Sequence, residues 1–139
     1  MKRYLLPIDF SAQSNQALSY MIERIRRSKG QVELLLLHTY LIPSGSDQSK
    51  IIEINDKIKN DAKADLELIK LDLLNKSLPN LVDVKTHVVF GRLKNVIARL
   101  TSEYKIDTIV MAKDAGNKIL DISKDLEEGR LNCSFLMVN

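Results

Sequence analysis

Side chains able to do chemistry are sparse in this chain of 139 residues, and the first of them is Asp9. It stands within Y-L-L-P-I-D-F-S-A-Q-S-N (residues 4–15), where a short apolar strand runs into Pro7, the acid, and serines suited to cap a helix beginning near Asn15. Ligands of α/β proteins gather at the carboxyl ends of parallel strands, so a carboxylate at this place can accept hydrogen bonds from one. It can equally accept from the amides of the turn that follows and simply hold that turn. The sequence leaves both roles open. His38, His87 and Cys133 are the other candidates for proton transfer, metal ligation or nucleophilic attack. The two histidines lie far apart along the chain, and no Cys, Asp or His stands at metal-ligand spacing from His38. No Ser–His–Asp grouping or paired acid of suitable spacing appears, so the expectation is a chain that is not an enzyme and holds no metal. His38 then reads as a hydrogen-bonded histidine of the core or its rim. Cys133, inside C-S-F-L-M-V, reads as a structural thiol that has no second cysteine to bridge, which agrees with a reducing compartment.

The elements that must position these residues alternate in type. After the first strand, Ser11 or Ser14 can cap a helix whose apolar stripe is Ala17, Leu18, Met21, Ile22 and Ile25, with Arg24, Arg26 and Arg27 off the stripe. Arg26, Arg27 and Lys29 sit at the negative end of its dipole as a solvated helix end, and Gly30 suits a left-handed stop. Val32–Tyr40 contains the unbroken run Leu34-Leu35-Leu36-Leu37, the mark of an interior strand covered on both faces. Pro43, Ser44, Gly45 and Ser46 form a loop. Ile51–Asn75 is the longest helix, with Ile54, Ile58, Ala62, Leu66, Ile69 and Leu73 on one stripe and a wet face opposite. Val82–Phe90 alternates as a strand nearer an edge does, and Gly91 ends it. Leu93, Val96, Ile97 and Leu100 mark a helix reaching about Tyr104, and Ile106–Ala112 is the fourth strand. A loop at Asp114–Asn117 around Gly116, a short helix carrying Ile119, Ile122 and Leu126 with its stop at Gly129, and the strand Cys133–Val138 complete the chain. Strict alternation with right-handed crossovers predicts a single α/β domain over residues 1–139: a five-stranded parallel sheet with helices on both faces.

Composition excludes several functions. Hydrophobic residues at 45% provide a core, charged residues at 28% keep it in solution, and no apolar run reaches the roughly 18–20 residues of a membrane span. The opening M-K-R-Y-L-L-P-I-D is too short in its apolar part for a signal peptide, so a cytoplasmic protein is expected. The net charge of +3 is scattered and aromatics are 5%, which does not describe a nucleic-acid platform.

Taken together, P-I-D-F-S at 7–11, S-N-Q-A-L at 14–18, V-E-L-L-L-L-H at 32–38, V-F-G at 89–91, I-D-T-I-V-M at 106–111 and C-S-F-L-M-V at 133–138 resemble the universal stress protein (UspA-like) family over nearly the whole chain. The resemblance implies a Rossmann-like fold of the adenine nucleotide alpha hydrolase-like kind, with strand order 3-2-1-4-5 and a crevice where the first and fourth strands end side by side. In members that bind ATP, an aspartate matching Asp9 serves the adenosine part. Strand-end backbone matching Ile8, Thr39 or Tyr40, and Met111 with Ala112 lines the adenine pocket. The phosphates lie on a loop of the form G-x-x-G-x(9)-G-S/T.

This chain departs from that form. After Met111 it reads A-K-D-A-G-N-K-I-L-D-I-S-K-D, with Ala112 and Ala115 at the first two glycine positions and Asp121-Ile122 at the glycine–serine pair. Glycines let amides approach phosphate oxygens; alanine methyls obstruct that approach, and Asp114 and Asp121 repel a triphosphate, offset in part by Lys113 and Lys118. Gly116 reads as a turn residue rather than a displaced motif glycine. The expectation is a degenerate nucleotide-binding loop and no cofactor, with ATP or another adenine nucleotide as the weaker case. The preferred function is a non-enzymatic module of stress response or signalling, acting as a homodimer and through protein contacts. The family commonly pairs the last strand across a two-fold axis, and Phe135, Leu136, Met137 and Val138 form such a strand, an exposed edge if left alone. The alternative is a binding module for adenosine, AMP or another small ligand near Asp9. A flavodoxin-like or receiver domain is the competing fold, but Asp9 stands alone and no lysine follows the last strand.

Overall fold

The computed structural model describes residues 1–42, 45, 47–113 and 117–138. Pro43, Ser44 and Ser46 of the expected loop, and Asp114, Ala115 and Gly116 of the loop after Met111, lie outside the described residues.

Leucine-rich and β-branched segments form the strands β1 (Lys2–Pro7), β2 (Val32–Tyr40), β3 (Leu81–Phe90), β4 (Thr108–Ala112) and β5 (Ser134–Val138). The amphipathic segments between them form α1 (Ala12–Arg27), α2 (Ile51–Asn75), α3 (Leu93–Glu103) and α4 (Asn117–Glu127). Neighbouring strands are all parallel, in the order β3-β2-β1-β4-β5. The expected order 3-2-1-4-5 is therefore the observed one, and β1 and β4 meet where the winding reverses.

Alternation along the strands divides the core into two layers. Tyr4, Leu6, Leu34, Leu36 and Val110 pack with α1 and α2, whereas Leu5, Leu35, Leu37, Ile109 and Met111 pack with α3 and α4. Each leucine of the 34–37 run is no more than 2% exposed. Burying one such side chain stabilises the fold by about 1.5–3 kcal/mol, so the run fixes β2 in the sheet interior with no polar face to orient it.

Several boundaries differ from expectation for local reasons. The first helix begins at Ala12, not near Asn15, because Ser11 is extended (φ −83°, ψ 168°) and its Oγ accepts from the Ser14 amide at 3.2 Å. Ser11 is the cap, and Ser14 is inside the helix and buried. Gly30 is not a left-handed stop; the helix ends at Arg27 with Ser28 extended, its amide donating to Ile25 O at 3.1 Å. Ile106 is not part of the fourth strand. Lys105 takes the left-handed conformation (φ 51°) after α3, and the Ile106 amide returns to Thr101 O at 3.0 Å, closing the helix end and delaying β4 to Thr108. Gly129 (φ 75°) does stop α4 as expected, with Arg130 N donating to Asp125 O at 2.8 Å. The outer face of α2 is less polar than its charges suggested, since Leu68, Leu71 and Leu74 are exposed on it.

Candidate functional site

Because β1 and β4 part at their carboxyl ends, a narrow crevice opens between α1 and α3. It is lined by Pro7, Ile8, Asp9, Ser11, Gln13, Ser14, Ala17, Leu37, Thr39, Leu93, Met111 and Ala112. Its cavity volume is about 50 Å³, far below the roughly 300–1,000 Å³ of small-molecule sites, so a nucleoside enters only if its walls part. Its walls are mostly apolar, with Asp9, Gln13, Thr39 and the serines as the polar groups. Such a lining suits a flat, apolar body carrying a few hydroxyls.

Asp9 holds the turn as well as facing the crevice. Its Oδ1 accepts from the Ser11 amide at 3.0 Å and from the Ser11 hydroxyl, which places Ser11 to cap α1. Phe10 between them adopts φ 62°, a left-handed conformation that costs a non-glycine residue of order 1 kcal/mol. Its ring then packs at 4.9 Å against His38. His38 is the hydrogen-bonded rim histidine anticipated above: its Nδ1 donates to Ile8 O at 2.7 Å. Ile8 N in turn donates to Leu37 O at 2.7 Å, so Ile8 lends the crevice a side chain more than a free amide.

Thr39 and Tyr40 direct their side chains to opposite faces of β2. Thr39 points to the crevice. The Tyr40 ring turns to the α2 side, edge-on to Phe90 at 5.7 Å, with its hydroxyl donating to Asn55 Oδ1 at 2.7 Å. Tyr40 is not among the residues that line this inner pocket, though it lines the outer part, and neither Tyr40 nor Phe10 fills it. Ile8, Asp9, Thr39, Met111 and Ala112 do converge there. Sequence reasoning missed Gln13, Ala17, Leu37 and Leu93. Ala17 had a signal in its size, since a small residue on α1 lets the helix lie close to β4; Leu93 stands two residues after V-F-G.

Beyond Thr39 and Leu93 the crevice continues into an outer, wider part lined also by Tyr40, Leu41, Gly91, Arg92, Lys94, Asn95 and Asp121. Gly91 (φ 140°) turns the chain from β3 into α3 at this wall. Arg92 is exposed, while Lys94 reaches Asp125 at 3.7 Å. Asp125 is a buried carboxylate, also paired with Arg130 at 3.2 Å, and it ties α3 to the end of α4.

The other candidates stand apart. His87 lies on β3, its ring 5.1 Å from Tyr104, and burial lowers its pKa from the ordinary value. Cys133 is half-buried and free, and burial pushes its thiol upward, the opposite of a reactive thiolate. No group of three or more metal-ligating side chains exists among the described residues. No described helix is long and apolar enough to cross a membrane. On β5, Val138 and Leu136 pack into the α1-side core and Phe135 into the other, leaving Met137 half exposed at the sheet's edge.

Against known proteins, the model of the universal stress protein family matches residues 1–119. Comparison with curated protein sequences returned no match. Among solved structures, the hypothetical protein MJ0577 superposes with a TM-score of 0.76 at 24% identity, over 99% of this chain and 94% of that one. The universal stress protein UspA from Lactobacillus plantarum gives 0.72 at 17% identity, covering 99% and 97%. A universal stress protein family protein from Arabidopsis thaliana, with AMP bound, gives 0.67 at 15% identity, covering 99% and 91%. At these identities the structural likeness establishes the fold.

Proposed function

The chain belongs to the universal stress protein family, and from that footing we propose that it is a non-enzymatic binding module for adenosine or AMP, without the family's grip on ATP. The observation that carries the reading is the open crevice on which Asp9, Thr39, Met111 and Ala112 converge. With the walls parted, an adenine ring would lie between Leu37, Leu93 and Met111, and the ribose hydroxyls can donate to the Asp9 carboxylate. A structural relative from Arabidopsis thaliana carries AMP, which is the ligand class the reading adopts. Triphosphate binding is a separate matter. It needs glycine-rich backbone after β4, where this sequence has Ala112 as the last residue of β4, Ala115 in the segment that follows and Asp121 already within α4. Family resemblance and the solitary Cys133 favour a cytoplasmic role in stress response or signalling.

Thermal unfolding with millimolar adenosine, AMP or magnesium ATP tests this. A ligand at 100 times its dissociation constant adds about 2.7 kcal/mol of stability. Adenosine and AMP are expected to raise the midpoint, with ATP giving no more than AMP. A shift from ATP that exceeds both others, or no shift from any, refutes the reading.

A homodimer through β5 is supported by a second observation. The strand is a sheet edge, its Phe135, Leu136 and Val138 side chains are engaged within the monomer, and its free pairing groups and Met137 face outward. The interface would therefore rest on backbone pairing around Met137 more than on an apolar face of four residues. Light scattering of the purified protein decides it: a monomer mass at micromolar concentration rules the dimer out.

A further inference from the structure

We infer that the cavity between the end of α3 and the start of β5 is a second small-molecule site, which takes a small aliphatic hydroxy acid carrying several carboxylates. The site is independent of the adenosine reading. It is lined by residues just ahead of β4 and β5, at the amino ends of these strands, whereas the crevice lies at the carboxyl ends of β1 and β4. Its volume is about 400 Å³, against about 50 Å³ for the crevice, so room for a small molecule is already present here.

Hydrogen-bond donors dominate the lining. Ser102, Lys105, Arg130 and Asn132 bring a hydroxyl, an ammonium, a guanidinium and an amide, and Asp107 is the single carboxylate. Arg130 shares its charge with Asp125 at 3.2 Å and Glu128 at 2.7 Å. Lys105 makes no ion pair among the described residues, so its ammonium is the main cation offered to a ligand. The Lys105 backbone is left-handed (φ 51°), a conformation that glycine adopts without cost and lysine does not. Folding alone favours glycine at this helix end, and the ammonium supplies a reason for lysine that the fold does not. The negative end of the α3 dipole opposes an anion. That opposition is reduced, because the carbonyls of Leu100, Thr101 and Ser102 already accept from the amides of Tyr104, Ile106 and Lys105 at 3.0, 3.0 and 3.4 Å.

The remaining lining narrows the ligand class. Ala98, Ile106 and the half-buried thiol of Cys133 give a surface for a carbon skeleton. No aromatic ring lines the cavity, so a base has nothing to stack on, and an inorganic anion leaves most of the space empty. Asp107 sets the last condition. Its Oδ2 accepts from the Arg3 amide at 2.7 Å, which fixes the carboxylate in place. Beside it a ligand hydroxyl can donate, whereas a ligand carboxylate is repelled. Carboxylates for Lys105 and Asn132 with a hydroxyl for Asp107 therefore answer this lining.

Cys133 is the chain's single cysteine and lines the cavity, so its rate of alkylation by a maleimide reports on this site. The test follows that rate on the full chain at fixed pH and ionic strength, with free glutathione as the reference thiol. Citrate at about ten times its dissociation constant is expected to slow alkylation about tenfold. Tricarballylate, which is citrate without the hydroxyl, is expected to protect less, and sulfate and adenosine not at all. In Lys105→Gly the citrate concentration needed is expected to rise about fivefold. The unfolding midpoint of that variant is expected to be no lower than the wild type's, because glycine relieves the left-handed strain, so weaker protection there is not a loss of folding. No protection by citrate, protection to the same extent by tricarballylate, sulfate or adenosine, or protection that Lys105→Gly leaves unchanged overturns the site.

Discussion

Replacing Asp9 separates its two roles, because alanine and asparagine remove different things. The carboxylate accepts from the Ser11 amide at 3.0 Å and from the Ser11 hydroxyl, and it lines the crevice. Asp9→Ala loses both bonds and frees the residue that caps α1. Charge-assisted bonds contribute about 1.5–3 kcal/mol when shielded, but this turn is exposed, so the pair together contributes about 1 kcal/mol. For a chain of this size that lowers the unfolding midpoint by roughly 3–5 °C. Asp9→Asn keeps an oxygen acceptor and the turn, and its cost is expected to be under about 0.5 kcal/mol. Ligand binding orders the two variants differently. A ribose hydroxyl donating to a carboxylate forms a bond about twice as strong as one to a neutral amide, so Asn is expected to weaken adenosine by roughly tenfold and Ala by more. Urea unfolding reads the first quantity and titration calorimetry the second. If Asp9→Ala loses the stability but binds adenosine as the wild type does, Asp9 is a turn residue only and the ligand reading loses its principal polar contact.

Two further predictions concern groups outside the crevice. Arg130→Ala is expected to cost about 2 kcal/mol in urea unfolding, because it leaves the Asp125 carboxylate, its side chain 3% exposed, with Lys94 alone at 3.7 Å. Asp125→Asn is expected to cost less, since the orphaned Arg130 and Lys94 reach water; the reverse ranking refutes that account. Burial, the largest influence, lowers the His87 pKa from 6.5, with Lys85 and Arg99 lowering it further and Glu103 opposing. The unfolded chain then takes up a proton that the folded one refuses, so stability falls as pH drops from about 7 through 6 and the loss levels off once folded His87 is protonated too. His87→Gln is expected to flatten this slope, and an unchanged slope shows that another group carries it.

Much of the fold was legible because it rests on patterns that one residue cannot reverse. The run Leu34–Leu37 has no polar face, so only a strand covered on both sides accommodates it, and β2 occupies that place. Helix ends were less legible, since a single hydrogen bond decides them. Asp9 fixes Ser11 and thereby starts α1 at Ala12, and a left-handed lysine rather than a glycine ends α3. Neither event changes composition or period. Strand parity past the core was hidden for the same reason: Thr39 and Tyr40 are both plausible linings until the ring of Tyr40 finds Phe90 and Asn55 on the other face.

The crevice itself has a different origin from the polar groups around it. Its floor is made by strand order. Once β1 lies between β2 and β4, with α1 and α3 on opposite faces, the strand ends at Ile8 and Met111 must leave a gap, whatever follows them. Apolar packing maintains that gap at no expense to function: Leu37 and Met111, which line it, are also core residues, so losing them would unfold the protein before it altered the ligand. Exposed polar positions around the crevice have no such protection, because they contribute little to packing. Asp121, on the exposed face of α4, belongs to neither core cluster, so replacing it would alter the charge beside the outer crevice without altering the packing that keeps the inner crevice in place.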